Sequence, residues 1–141
     1  MDFFSSMDIS ASALAAERTR MNLISSNLAN ANSTKTAEGG PYKRKDAVFA
    51  ATPAASFGSM LNKADARRVE ITQIIEDQRP PRLQYDPSHP QADASGYVAY
   101  PNINVVEEMA DMITASRSYE ANVTAAQAAK SMALKTLELG R

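Results

Sequence analysis

The placement of proline constrains this chain more than any other feature. All seven prolines, at 41, 53, 80, 81, 87, 90 and 101, fall in one central stretch of the 141 residues. Proline lacks a backbone N–H and its ring clashes with the preceding turn, so long helices are confined to the two proline-free ends. Four of the five glycines, at 39, 40, 58 and 96, lie in the same stretch. The sequence therefore divides into a helical segment 1–34, a middle segment 35–101 and a second helical segment 102–141. The length suits one domain rather than two.

The first end predicts one helix over Ser5–Asn30. Met7, Leu14, Met21 and Leu28 recur every seven residues, and Ile24 joins Met21 and Leu28 on the same face. Ala11, Ala13, Ala15 and Ala16 favour helix and allow close approach of a neighbour. Asn27, Asn30 and Asn32 mark its end, where asparagine tolerates a left-handed turn and can bond side chain to backbone.

The second end predicts a longer helix over Asn104–Leu139. Asn104-Val105-Val106-Glu107 resembles a capping box, with Asn104 as N-cap and Glu107 reaching back. Glu107, Glu108 and Asp111 near its start and Lys130, Lys135 and Arg141 near its end complement the helix dipole. Gly140 is a natural stop. Alternating steps of four and three pick out Val105, Met109, Met112, Ser116, Tyr119, Val123, Ala126, Lys130, Ala133 and Leu137. That is a coiled-coil seam with Ser116 and Lys130 as polar interruptions. At 1.5 Å per residue the helix spans ~54 Å, too long for the rest of a small chain to cover.

The middle segment predicts short strands at 46–51, 69–75 and 96–100, turn or extended stretches at 78–81 and 86–90, and a small-residue loop over 51–58. The expected fold is mainly α with a small β-containing insertion. Its long terminal helices pair as an antiparallel coiled coil, and because isolated helices rely on packing for stability, neighbouring subunits complete the apolar stripes. Open-ended contacts of that kind give filaments or rings.

Composition removes several classes of function. Lys plus Arg number 15 and Asp plus Glu 16, a formal charge of −1, which argues against nucleic acid as an obligate partner. No run of about 18 apolar residues exists to span a membrane. There is no cysteine, hence no disulfide, thiol nucleophile or thiolate ligand. Residues 1–10 begin with an acid and lack an apolar core, unlike a cleaved signal peptide. The expected location is the cytoplasm, or outside it by a route that leaves the N-terminus intact.

Chemistry is thinly represented. His89 is the single histidine, held between two prolines. Asp86, His89 and Asp93 are the one arrangement that would suit a divalent metal and a metal-dependent enzyme, and proline-rich turns produce such spacings by chance. No glycine loop is built to cradle phosphate. Lys43-Arg44-Lys45 is followed at once by Asp46 and reads as a solvated run; Arg67-Arg68, Arg79 and Arg82 could meet acids of another subunit. No catalytic residue, cofactor or metal is expected. A soluble helical adaptor also fits the stripes, and would be absent from any insoluble assembly.

A resemblance narrows these readings. Ile24–Ser33, centred on Asn27-Leu28-Ala29-Asn30, resembles the N-terminal signature of bacterial flagellar rod and hook proteins, and Ala13–Arg18 fits the same helix. Tyr100–Met109, Ala115–Asn122, Lys130–Gly140, Tyr42–Phe49 and Arg82–Val98 resemble the proximal-rod subtype of that family. The likeness transfers no role to Ala51–Asp65. It implies a structural subunit of the basal-body rod, a tubular drive shaft that crosses the periplasm, transmits torque and encloses an export channel. It implies export by the flagellar type III apparatus without a cleaved signal. The implied partners are copies of itself, other rod proteins, and membrane-ring and export-gate components at the rod base. The family pairs its terminal helices along the inner tube and turns its middle segment outward. Packing residues within and between subunits are then expected at Leu14, Met21, Ile24, Leu28, Met109, Met112, Tyr119, Val123 and Leu137.

Overall fold

A computed structural model describes residues 3–53 and 67–139 of the chain. The helix α1 spans Phe3–Ala29 and α2 spans Val105–Leu139, each within a few residues of the expected bounds. Between them come β1 (Lys45–Pro53), β2 (Arg67–Glu76), β3 (Arg82–Tyr85) and β4 (Tyr97–Tyr100). Of the loop expected over 51–58, residues 51–53 belong instead to β1, which continues through Pro53; residues 54–58, and Gly140 as a stop, lie outside the described residues. No described helix is long and apolar enough to cross a membrane.

The start of α2 shows why it forms where it does. Asn104 Oδ1 accepts the N–H of Val106 at 3.1 Å, and the Asn104 carbonyl accepts the N–H of Glu108 at 3.0 Å. The N-cap is therefore in place. The expected return bond is not: among the described residues Glu107 makes no bond back to Asn104, so the box is half formed. At the other helix end, Asn30 Nδ2 donates to the Ser26 carbonyl at 2.9 Å and Asn30 Oδ1 accepts from Ser33 Oγ at 3.0 Å, closing the last turn of α1.

The helices pack side by side and antiparallel: Asn27 meets Glu108, and Arg20 lies 3.7 Å from Asp111. α2 has 35 residues against 27 in α1, so its last turns run past the start of α1. In α2 Glu108, Ala115 and Ala129 are buried, and Asp111, Met112, Ser116, Ser118, Tyr119, Asn122, Val123, Ala126 and Ala133 are half-buried. This face shares Met112, Ser116, Tyr119, Val123, Ala126 and Ala133 with the expected seam. Its most buried points, Glu108, Ala115 and Ala129, lie one residue before seam positions, on smaller or polar side chains that let the helices approach closely.

β1 and β2 form an antiparallel ribbon in which Lys45 pairs with Glu76 and Pro53 with Arg67. The register shifts between Val48 and Phe49, leaving Thr72 as the extra residue on β2, and its hydroxyl donates to the Val48 carbonyl at 3.2 Å. The ribbon lies along α1 on a different side from α2. Ser12 Oγ donates to the Ile9 carbonyl at 2.7 Å and accepts the Val69 N–H at 3.2 Å, while Arg68 lies 3.4 Å from Asp8. β3 pairs with β4 in a second, smaller ribbon, capped by the cross-strand pair Tyr85–Tyr97 with ring centroids 5.3 Å apart. β3 was not expected: Arg-Leu-Gln-Tyr has no β-branched residue and follows two prolines.

Among the described residues the buried apolar side chains are Ala16, Ile24, Ala31, Val98, Ile103, Ala115 and Ala129. Alanine dominates this set. Large apolar groups remain on the surface, among them Val106 at 74 %, Met109 at 54 %, Ile113 at 55 % and Leu137 at 71 % exposure.

Candidate functional site

Two features stand out: a buried polar joint where α1, α2 and β1 meet, and an uncovered apolar face on α2. The joint is built around Asn27 in the last turns of α1. Its side chain is fully buried and uses every hydrogen-bonding position. Nδ2 donates to the Lys45 carbonyl at 2.9 Å and to Glu108 Oε2 at 3.1 Å. Oδ1 accepts the Lys45 N–H at 2.9 Å and the Tyr42 hydroxyl at 3.2 Å. The Tyr42 hydroxyl also lies 3.3 Å from Ser26 Oγ.

Glu108 is 2 % exposed and shares a charge-assisted bond with Arg44, Nε to Oε1 at 2.5 Å. Arg44 also reaches Asp46 at 3.0 Å. Partial burial works against the Arg44 charge, but the bonds to Asp46 and Glu108 outweigh it and hold the guanidinium pKa above its ordinary value. The buried carboxylate is thus paired and hydrogen-bonded on both oxygens, the condition under which a charge survives in an interior.

Sequence reasoning assigned Asn27 to the end of α1. Asn30 does bond there, whereas Asn27 bonds to a backbone group 18 residues on. Glu108 and Arg44 were missed as joint residues, since in sequence one reads as a dipole complement and the other as part of a basic run. The spacing of Tyr42, Arg44 and Asp46, all on one side of an extended segment, is the signal that was present.

The expected packing residues divide into two groups. Ile24 is buried, and Leu14, Met21, Leu28, Met112, Tyr119 and Val123 are half-buried within the chain. Met109 and Leu137 are exposed, as is Ala29 of the Asn27–Asn30 motif. Val106, Met109 and Ile113 project on the side of α2 away from α1, spaced three and four residues apart.

Asp86, His89 and Asp93 do not converge. Asp86 accepts from Ser88 N–H at 3.1 Å and Ser88 Oγ at 2.6 Å, His89 Nδ1 from Gln91 N–H at 3.2 Å, and Asp93 from Ser95 N–H at 2.8 Å. Each side chain shapes its own turn, and among the described residues no group of three His, Asp or Glu side chains is arranged to hold a metal. The arginines proposed for other subunits have partners inside the chain: Arg68 with Asp8 and Glu70, Arg79 with Asp77, and Arg82 6.0 Å from the centre of the Tyr100 ring.

Comparison with known proteins extends this geometry. A family described as "Flagella basal body rod protein" matches residues 7–35, and one described as "Flagellar basal body rod FlgEFG protein C-terminal" matches residues 94–139. The chain is 46% identical to the flagellar basal-body rod protein FlgC of Escherichia coli O157:H7, over 95% of each chain. It is 43% identical to FlgC of Bacillus subtilis over the whole of both chains. Against FlgC of Borreliella burgdorferi the identity is 40%, over 94% of this chain and 93% of that one.

Proposed function

The chain belongs to the flagellar basal-body rod protein FlgC family, and from that membership we propose how its geometry serves the rod. It is a structural component of the flagellar basal body and not an enzyme. It acts in the proximal rod, as part of the tubular drive shaft that transmits torque and encloses the export channel. The segments 1–34 and 102–141 form the axial core as an antiparallel coiled coil lining the tube, and 35–101 faces outward. The partners are copies of this chain, other rod proteins, and membrane-ring and export-gate components at the base. The chain reaches the periplasm through the flagellar type III apparatus, without a cleaved signal.

The observation that supports this reading is the uncovered apolar surface of α2. Val106, Met109 and Ile113 near one end and Met132, Leu134 and Leu137 near the other are all more than half exposed. A buried set made mostly of alanine leaves these residues to be covered by neighbours. Torque then passes between subunits as shear across packed side chains, and within each subunit through helices held by the joint at Asn27. Met109 and Leu137 act between subunits, while Leu14, Met21, Ile24, Leu28, Met112, Tyr119 and Val123 act first within one.

Photo-crosslinking residues placed at Ile113 and Leu137 in motile cells test the reading. Capture of rod or ring proteins, in a fraction of purified basal bodies, is the expected result. Capture of soluble cytoplasmic proteins alone, with the chain absent from basal bodies, would overturn it.

A further inference from the structure

We propose that the buried contact between Asn27 and Glu108 sets the register in which α1 and α2 pair. The apolar contacts alone do not choose one. On α1, exposed Met7 and half-buried Leu14, Met21 and Leu28 repeat every seven residues; on α2 the buried positions 108, 115 and 129, with half-buried 122 between them, do the same. Sliding one helix past the other by seven residues, about 10 Å, sets similar faces against each other. Small side chains such as Ala115 and Ala129 offer little that interlocks and resists the slide.

The joint breaks this degeneracy. A slip in one direction sets Asn27 against Ala115 and removes the acceptor for one of its two Nδ2 protons. A slip in the other brings Glu108 level with Arg20, but withdraws from Arg44 and Asn27 the buried oxygens that they bond at 2.5 and 3.1 Å. Unpaired buried polar groups are costly, and one such group at a helix interface is known to select register. Among the described residues the other ionic link between the helices, Arg20 to Asp111 at 3.7 Å, is partly exposed at both ends and selects weakly.

The register has a consequence outside the pair. Asn27 holds Lys45, so the β1–β2 ribbon is tied to α1, while Val106, Met109 and Ile113 ride on α2. A slipped pair would move that apolar face by about 10 Å relative to the ribbon. Neighbours that read both surfaces would no longer fit.

The chain has no cysteine, so introduced thiols report register directly. Ala13 lies two heptads before Asn27, and Asn122 two heptads after Glu108, so the two stand level in the native pair. Ala13→Cys is combined in turn with Asn122→Cys, Ala115→Cys or Ala129→Cys in the full-length protein, and disulfide yields are compared after mild oxidation. The 13–122 bond should dominate by about tenfold or more, a register preference of at least ~1.4 kcal/mol. In the Asn27→Leu/Glu108→Leu background the 13–115 or 13–129 bond should rise to a comparable yield. Glu108→Gln alone, with Asn27 in place and still able to donate to it, should keep the 13–122 preference. If the apolar double variant loses its helical circular dichroism, the comparison moves to Asn27→Ala, where slipped bonds are again expected. A folded variant that keeps only the 13–122 bond, or a starting protein with no preferred bond, would overturn the proposal.

Discussion

Asn27 pairs with Lys45 as one strand residue pairs with another: its carboxamide donates to the Lys45 carbonyl and accepts the Lys45 N–H, both at 2.9 Å. A helix side chain thereby takes both backbone groups of the first residue of β1 and ties the β1–β2 ribbon to α1. Asn27→Ala removes that pairing and takes this partner from the Lys45 N–H, the Lys45 carbonyl and Glu108 Oε2. The expected cost is about 2–4 kcal/mol, from the penalty of stranding buried polar groups. Thermal unfolding followed by circular dichroism should show the midpoint lowered by about 5–15 °C. A shift of about 1 °C or less would mean that the joint adds little to stability.

The helices and most strands were legible because their signals are local. Prolines confined to the middle bounded α1 and α2, Asn104 marked a cap, and branched residues marked β1 and β2. The joint was not legible because its signals are distant. Nothing near Asn27 announces Lys45, and Glu108 sits among Glu107 and Asp111 with no local sign that it alone is buried. The α2 face was read partly out of phase for a related reason. The period is satisfied equally by Met109 or by Ala115 and Ala129, and size pointed to the larger side chain. In the structure the small residues face α1, and Met109 is left outside.

Gly96 has φ of +80°, and a Cβ there would lie 2.9 Å from Tyr85 Cε2 and 3.3 Å from Pro87 Cβ. Its carbonyl accepts the Asp86 N–H at 2.9 Å, so its conformation closes the β3–β4 ribbon. Gly96→Ala adds a left-handed penalty of about 1 kcal/mol to that crowding. Faster amide exchange confined to 82–100 is expected, with exchange in α1 unchanged. Unaltered exchange at Tyr97 and Tyr85 would count against a requirement for glycine.

Asp86 titrates below the ordinary carboxylate range because the Ser88 hydroxyl and N–H both bond to its charged form. A depressed folded-state pKa stabilises the turn above the unfolded pKa of about 3.9, and that stability is lost as pH falls through the folded value. The β3–β4 turn should therefore loosen in acid and be indifferent to pH near neutrality. Carboxyl-detected NMR on Ser88→Ala should move the Asp86 midpoint upward, towards the ordinary value. An unchanged midpoint would remove Ser88 as the cause. His89→Ala should leave swimming intact, since the ring contributes one acceptor to the Gln91 N–H in the same turn.

Folding and assembly separate most cleanly on α2. Ile113 is 55 % exposed on the side away from α1, whereas Val123, and Leu28 on α1, are half-buried within the chain. Ile113→Asp places its carboxylate in solvent in the free subunit, so stability should change by no more than about 0.5 kcal/mol. In an assembled rod the same carboxylate would be buried without a partner, at a cost of several kcal/mol. The expected variant is a folded protein with a near-normal melting temperature, missing from purified basal bodies, in cells that do not swim. Leu28→Asp and Val123→Asp should fail in both respects, with lowered melting temperature and no assembly. Normal motility with Ile113→Asp would show that neighbours leave this face open. The apolar surface at Met132, Leu134 and Leu137 would then be the one to probe next, since the last turns of α2 extend beyond the start of α1.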